Sequence, residues 1–378
     1  DEIAETIVKT ALLSYTDSEK DSAYAFLQKK YYKDFVVTPV TLYDLGSYEF
    51  VMEKKDSARV HLEQVYLKLD KYPSYAAQAC RSLAGIAFAD KKNKEGLRYA
   101  ILADSLHKGG DTEFLAMAYA YANEYTGAYA VLDSAMGVLS QWTPMAGIAD
   151  SSTMSAMKQT VETRHRRLQQ TYAQILVMEA MEVEKDGKAD SLKLAHAMEC
   201  RGKAELFWES MLMADTTDLF VQVTMAMNLE RMGRFDESFR MFENLLKHYG
   251  NLRVDWPEVM NYYGYSLIDE NRSPEEVEKG LQLVLKALAT EKGASPSEAY
   301  LDSKAWGLYR QGKYQEALET LNLIKGEHFL DDYEYLLHLG AIQDALGNKA
   351  EATKAYKKVL KLRPNNKAAK EFFGKKKK

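Results

Sequence analysis

The ordered set Leu336, Leu339, Gly340, Leu346, Gly347, Ala352, Tyr356, Val359 and Pro364 has an earlier copy. Thirty-five residues upstream the same order returns as Leu301, Ala305, Gly312, Ala317, Leu321 and Ile324. A chain that repeats its apolar and small residues at such a period stacks similar units, because one unit alone cannot bury its apolar face. Each copy reads as two amphipathic helices joined by a short turn at a glycine. Small residues (Gly340, Ala305, Ala317, Ala352) sit where two helices cross closely, and larger apolar residues fill the gap to the next unit. A proline after the second helix ends it, since proline cannot continue the hydrogen-bond ladder. Composition agrees: only 7 of 378 residues are proline, and Ala, Leu, Tyr, Glu and Lys favour helices over sheets.

Further copies follow the same order. Met225, Ala226, Leu229, Gly233, Phe235, Phe242 and Leu245 make one. Residues 260–267, MNYYGYSL, make the first helix of another, with Gly264 at the close crossing. Its second helix is predicted over 280–289, with a few inserted residues around Pro274. Near the start lie Leu42, Leu45, Gly46, Ala58, Leu62, Val65 and Pro73, then Leu83, Ala84, Gly96, Ala100 and Ala103. Leu115, Ala116, Tyr119, Ala128, Leu132 and Ala135 complete that block. Unit starts fall near 39, 77 and 109, and again near 219, 257, 298 and 333. Prolines 39, 73, 257, 296 and 364 mark junctions between units, and Pro144 opens the irregular middle.

This spacing predicts four segments. Residues 1–142 form an N-terminal repeat block whose first unit, within 1–38, is degenerate, with Ala23 and Leu27 on its second helix. Residues 143–218 are an irregular helical segment. It opens with a loop around Trp142 and Pro144, and a long helix follows over 153–185, stopped by Gly187. Two shorter helices are predicted at 190–200 and 204–213. Residues 219–366 hold four units, and 367–378 form a basic tail.

Residues 300–318, YLDSKAWGLYRQGKYQEAL, and 333–364, YEYLLHLGAIQDALGNKAEATKAYKKVLKLRP, resemble the tetratricopeptide repeat. The resemblance implies an all-α superhelix, a helical-repeat solenoid of about seven to nine helix pairs with an irregular middle segment. It implies that the first helix of each unit lines a concave groove holding a peptide or helix of a protein partner. The matching positions of the second block are Phe220, Val223, Met227, Asn261, Tyr265, Ile268, Asp302, Trp306, Tyr309, Arg310, Leu337 and Asp344. Those of the first block are Tyr43, Phe50, Arg81, Phe88 and Tyr121. Aromatic residues and arginine dominate protein interfaces, so Phe220, Met227, Tyr265, Trp306, Tyr309 and Arg310 are the candidate partner-binding residues. Any of these rings can instead pack on the neighbouring unit. Relatives that clamp the acidic C-termini of chaperones carry Lys followed four residues later by Asn on a first helix. The matching pairs here, from Tyr43/Ser47 to Leu337/Ala341, include no Lys/Asn, which argues against such a clamp.

MNYYGYSL and the 300–318 string look most like bacterial cell-envelope repeat proteins, including lipoproteins. That resemblance implies periplasmic or outer-membrane association in preference to the cytoplasm, with room for a lipid anchor upstream of Asp1. The chain starts at Asp1 without Met, which predicts a removed leader or a trimmed start. The rival expectation is the sensor or regulatory part of a longer signalling or transcription-regulatory protein.

Charge is unevenly placed. Fifty Lys and Arg against 55 Asp and Glu give −5 overall, which argues against general nucleic-acid binding. Residues 349–378 hold twelve basic residues and two acids, a net +10, so the preceding 348 residues carry −15. A solvated last helix with a lysine tail is one reading, and an electrostatic contact to an acidic partner or an anionic membrane is the other. No run of about 20 apolar residues is present, so no transmembrane helix is predicted.

Catalytic chemistry finds no support. The seven histidines form no HExxH, and no GxxxxGK[ST], GxGxxG or GxSxG occurs, so neither catalytic residues nor a cofactor or metal site is predicted. Two cysteines, Cys80 and Cys200, cannot alone make a zinc site and read as small core residues. Arg164, His165, Arg166 and Arg167 read as the exposed face of the long helix. The Asp-Ser pairs at 21, 56, 133 and 190 read as helix starts. Thirteen of 16 methionines lie between Met136 and Met241, across the irregular middle. Flexible thioethers fill gaps where non-standard helices meet, or form an adaptable binding surface.

Overall fold

The computed structural model describes residues 24–25, 39–67, 71–141, 151–185, 190–250, 256–291 and 296–375, and every element among them is a helix. The degenerate first unit, the loop around Trp142 and Pro144, the stop at Gly187 and the Asp-Ser pair at 21 lie outside the described residues. The chain divides into two bodies, Asp1–Glu179 and Ala180–Lys378.

In the first body three helix pairs follow one another: α1 (Pro39–Val51) with α2 (Lys55–Tyr66), α3 (Pro73–Ala89) with α4 (Asn93–Leu106), and α5 (Thr112–Tyr121) with α6 (Tyr125–Ser140). The long helix α7 (Ser151–Lys185) then packs Leu168 and Ile175 against Ala128 and Leu132 of α6. In the second body α8 (Ser191–Ala214) precedes four pairs. They are α9 (Leu219–Arg231) with α10 (Phe235–Gly250), α11 (Pro257–Glu270) with α12 (Pro274–Thr290), and α13 (Glu298–Arg310) with α14 (Tyr314–Leu321). A single turn, α15 (Glu327–Leu330), leads to the fourth, α16 (Tyr333–Ala345) with α17 (Lys349–Leu362), and α18 (Lys367–Lys375) closes the described chain.

One turn explains why the pairs look alike. In six of them the second residue after the first helix has a positive φ: Glu53, Lys91 and Asn123 near 60°, Gly233, Gly312 and Gly347 between 74° and 81°. The next N–H then reaches back five residues, as in Lys54 N to Glu49 O (2.8 Å) and Lys313 N to Leu308 O (2.9 Å). The positive-φ residue itself donates three residues back, as Gly312 N does to Tyr309 O at 2.9 Å. These two bonds satisfy carbonyls that a helix end otherwise leaves bare. Seven residues before the turn lies a small residue (Gly46, Ala84, Ala116, Ala226, Ala305, Gly340), and five after it another, buried in every case (Ala58, Gly96, Ala128, Ser238, Ala317, Ala352). Each turn therefore brings two small residues together where the helices cross.

The remaining pair departs from this. Asn271 takes the positive φ (48°), and Gly264 again lies seven residues before it. The second small residue, Gly280, comes nine residues after the turn. The inserted residues around Pro274 are not a loop. They add a turn at the start of α12, which begins at Pro274 with Ser273 accepting from Glu276 N at 3.2 Å. Proline suits that first position, where its missing N–H costs nothing. At this crossing the backbones touch: a Cβ on Gly264 would stand 2.7 Å from Gly280 O.

Two further expectations change. A single helix, α8, replaces the two predicted over 190–213, and Gly202 continues it. One glycine costs a helix about 1 kcal/mol, and burial of Ala204, Trp208 and Met211 on the same helix exceeds that. The Asp-Ser pair at 133 lies inside α6, while Asp190 does start a helix, accepting from Lys193 N at 2.9 Å. Past residue 366 the chain is helical as far as Lys375. Ala369 is fully buried, and the Phe372 ring packs at a tilt 4.8 Å from Tyr356.

Candidate functional site

In the second body the first helices of successive pairs stand side by side, α11 against α13 and α13 against α16. Their shared face carries four of the six candidate residues. Trp306 lies at its centre, only 6 % exposed. The indole stacks between Tyr309 (centroids 4.7 Å apart, 3° between planes) and His338 (4.1 Å, 20°). Indole Nε1 donates to Asp269 Oδ1 at 2.9 Å, and the Arg310 guanidinium lies 4.5 Å over the ring. Arg310 also donates to the Asp269 carbonyl at 2.8 Å, which ties α13 to the end of α11.

His338 on α16 extends the stack. Its Nδ1 stands 2.9 Å from Asp302 Oδ2, its Nε2 3.5 Å from the Tyr265 hydroxyl, and the ring is 1 % exposed. Burial works against charge on this imidazole. The Asp302 carboxylate outweighs that effect and holds its pKa above the usual histidine value. Four side chains from three helices, Tyr265, Asp302, Trp306 and His338, thus form one polar and aromatic seam. A seam of this kind fixes the register of neighbouring repeats.

Around it the face is rich in carboxylates. Tyr262 donates to Glu230 Oε2 at 2.7 Å, and Arg231 Nε lies 3.4 Å from the same oxygen. Glu334 reaches solvent, yet the protein packed around it pushes its carboxyl up, with Asp332 and Asp302 adding to the effect. Glu270 is displaced the same way, by burial and then by Asp269 and Glu230. Burial, followed by the field of Glu334, drives the Tyr265 hydroxyl well above its ordinary pKa. Three buried polar atoms at this face, Asn261 Oδ1, Arg310 Nε and Gln311 Oε1, have no hydrogen-bond partner among the described residues.

The other two candidates stand apart from the seam. Phe220 on α9 is 55 % exposed. Met227 is half-buried against the cluster of Phe239, Phe242 and Tyr263. Trp306 and Tyr265 form the floor of the face, whereas Phe220, Tyr309 and Arg310 reach its surface. Sequence reasoning passed over His338, Asp269 and Glu334. A signal existed for the first: Asp302 lies between the apolar positions Leu301 and Ala305 and needs a partner when buried, and His338 follows it by 36 residues, close to one repeat length.

In the first body the corresponding positions pair locally. Arg81 bonds Asp111 and lies 4.7 Å over Phe114, Phe88 packs 5.2 Å from Tyr121, and Tyr43 meets Tyr75 edge-on. Arg164 and Arg167 line an open cavity of about 590 Å³ with Glu113, which Arg167 approaches to 3.3 Å. Cys80 is buried among apolar neighbours, which push its thiol up to about 12, and Cys200 is buried as well. A thiol so displaced is a weak nucleophile at neutral pH. No described helix is long and apolar enough to cross a membrane.

Residues 333–366 match the family model of the tetratricopeptide repeat. No curated protein sequence matches the chain. Among solved structures, a tetratricopeptide repeat protein from Parabacteroides merdae is 14 % identical, covering 88 % of this chain and 96 % of that one, with a TM-score of 0.43. The C-terminal part of a TPR repeat-containing protein from Cytophaga hutchinsonii is 15 % identical, covering 76 % and 97 %, at 0.38. The apo form of the quorum sensor NprR from B. thuringiensis is 12 % identical, covering 98 % and 97 %, at 0.42. With TM-scores below 0.5, these likenesses add nothing to the fold, which rests on the repeated turn and the matched segment.

Proposed function

We propose that the chain is a non-catalytic repeat scaffold that holds a protein or peptide partner on the first-helix face of its second body. The carrying observation is the seam of Tyr265, Asp302, Trp306 and His338, which locks three first helices into one preorganised surface. Preorganisation spares a partner the entropy of ordering its receptor. Tyr309 and Arg310 lie on that floor, and their residue types recur in binding hot spots. The buried polar atoms lacking partners on this face are groups a bound peptide backbone can satisfy.

A photo-crosslinking residue at Phe220 or Tyr309 tests this reading, with Lys286 and Glu319 on second helices as controls. Capture of one discrete species by the first two positions and not by the controls is the expected result. Equal capture from both faces ends the proposal. For location we propose the bacterial cell envelope, supported by the resemblance of 260–267 and 300–318 to envelope repeat proteins. Fractionation of the native cell tests it, and recovery in the cytosol would refute it.

A further inference from the structure

The basic end of the chain has no part in the binding face above, yet it holds the largest charge imbalance in the molecule. Along α17, Lys354, Lys357, Lys358 and Lys361 are all exposed, at i, i+3, i+4 and i+7, so they form one stripe. Ala352, Ala355, Tyr356 and Val359 of the same helix are buried. On α18, Lys367 and Lys370 are exposed while Ala369 and Phe372 are buried. The lysines are thus presented by a folded, packed helix pair, which fixes their spacing before any partner arrives.

Little internal charge answers them. Lys354 pairs with Glu351 at 2.7 Å, Lys358 with Asp331 at 2.6 Å and Lys367 with Glu371 at 3.9 Å. Lys357 and Lys361 have no carboxylate within ion-pair distance among the described residues. Eleven of the twelve basic residues in 349–378 are lysine, and the exception, Arg363, lies 5.4 Å over the Tyr333 ring. Elsewhere in this body the bidentate ion pairs use arginine forks, as in Arg201 with Glu184 and Arg272 with Glu276, while Lys203 and Lys279 pair singly with Glu199 and Glu243. Lysine is a hydrated point charge without fork geometry, suited to a diffuse field and poorly suited to reading one carboxylate or phosphate. Leu362 lies beside the stripe, 47 % exposed, an apolar side chain at the level a headgroup region receives.

We infer that the exposed lysine face of α17 and α18 docks on an anionic lipid bilayer surface. The −15 carried by the preceding 348 residues repels the same surface, which confines contact to these two helices. It also disfavours wrapping by a nucleic acid.

Flotation of the whole chain with vesicles tests the inference, comparing phosphatidylcholine alone with phosphatidylcholine containing about one-third phosphatidylglycerol. Binding to the anionic vesicles only, abolished by high salt, is the expected result. With a triple variant, Lys357→Gln/Lys361→Gln/Lys370→Gln, affinity should fall about a hundredfold at an unchanged melting temperature, since each lysine near such a surface contributes about one order of magnitude or slightly less. Salt-insensitive binding, equal binding to neutral vesicles, no binding at all, or undiminished binding by the triple variant would each overturn it. So would tighter binding to duplex DNA than to the anionic vesicles. Should the triple variant melt early, the salt dependence of the unmodified chain decides alone.

Discussion

Among the described residues Arg201 is the largest fully buried side chain, and each of its three guanidinium nitrogens donates a hydrogen bond. Two bonds of 2.7 Å run to Glu184 and one of 3.0 Å to Asn228 Oδ1, while Asn228 Nδ2 returns to the Arg201 carbonyl. Removing the carboxylate of such a group strands the guanidinium without solvent. Glu184→Ala should lower unfolding free energy by about 3–5 kcal/mol, read from urea midpoints. Lys354→Ala, whose pair with Glu351 lies at the surface, should cost about 1 kcal/mol or less. Nothing in the sequence marks this arginine, because its partners come from two other helices whose approach no periodicity encodes. His338 makes a pH-dependent contribution. Its folded-state pKa is raised above an unfolded value near 6.5, so the stabilisation is complete below 6.5 and lost as pH rises through the folded value. His338→Gln should flatten that slope in urea midpoints taken from mildly acidic to mildly alkaline pH. Glu334 works in the opposite chemical sense. A carboxyl raised above 4.5 destabilises the fold once it is ionised, so Glu334→Gln should stabilise at neutral pH and change nothing below 4.5.

At the scale of the helix pair, the sequence signal and the structural cause can be compared directly. Unit starts read near 219, 257, 298 and 333 coincide with Leu219, Pro257, Glu298 and Tyr333. The second block was legible because three of its turns place glycine at the positive-φ position, and glycine is visible to any reader. Most turns of the first block use Glu53, Lys91 and Asn123 there, and the unit expected to start near 77 begins four residues earlier, at Pro73. Proline opening a helix was read as a junction at 73 and as an insertion at 274, although it has the same role in both. Two glycine substitutions separate the crossing from mere helix propensity. Gly264→Ala drives a Cβ against the Gly280 carbonyl and should destabilise by about 1–3 kcal/mol. Gly202→Ala meets nothing within 4 Å in mid-helix and should stabilise by about 0.5–1 kcal/mol. If both variants shift the urea midpoint in one direction, the close crossing has no energetic role.

A stack of repeats transmits stress only to its neighbours, since each pair touches mainly the pairs beside it. The polar and aromatic seam in the second body spans α11, α13 and α16, so it depends on the pair α16/α17 staying folded. That pair is covered at its far side by α18, whose Phe372 packs on Tyr356 and whose Ala369 joins the same apolar cluster. Without α18 this apolar surface of the pair would meet solvent. The composition of 367–378 hid this: six lysines and a single pair of phenylalanines read as a solvated tail, and only the packing of that pair shows a cap. Ending the chain after residue 366 should therefore expose Tyr356 and Val359. Amide hydrogen exchange is expected to accelerate in α16 and α17, more weakly in α13, and not at all in α9 and α10. Acceleration spread evenly over the second body would mean that it unfolds as one cooperative block. The lysine face and the seam would then be energetically inseparable. A local response would instead leave the cap free to carry charge at the surface while the seam beneath it keeps its register.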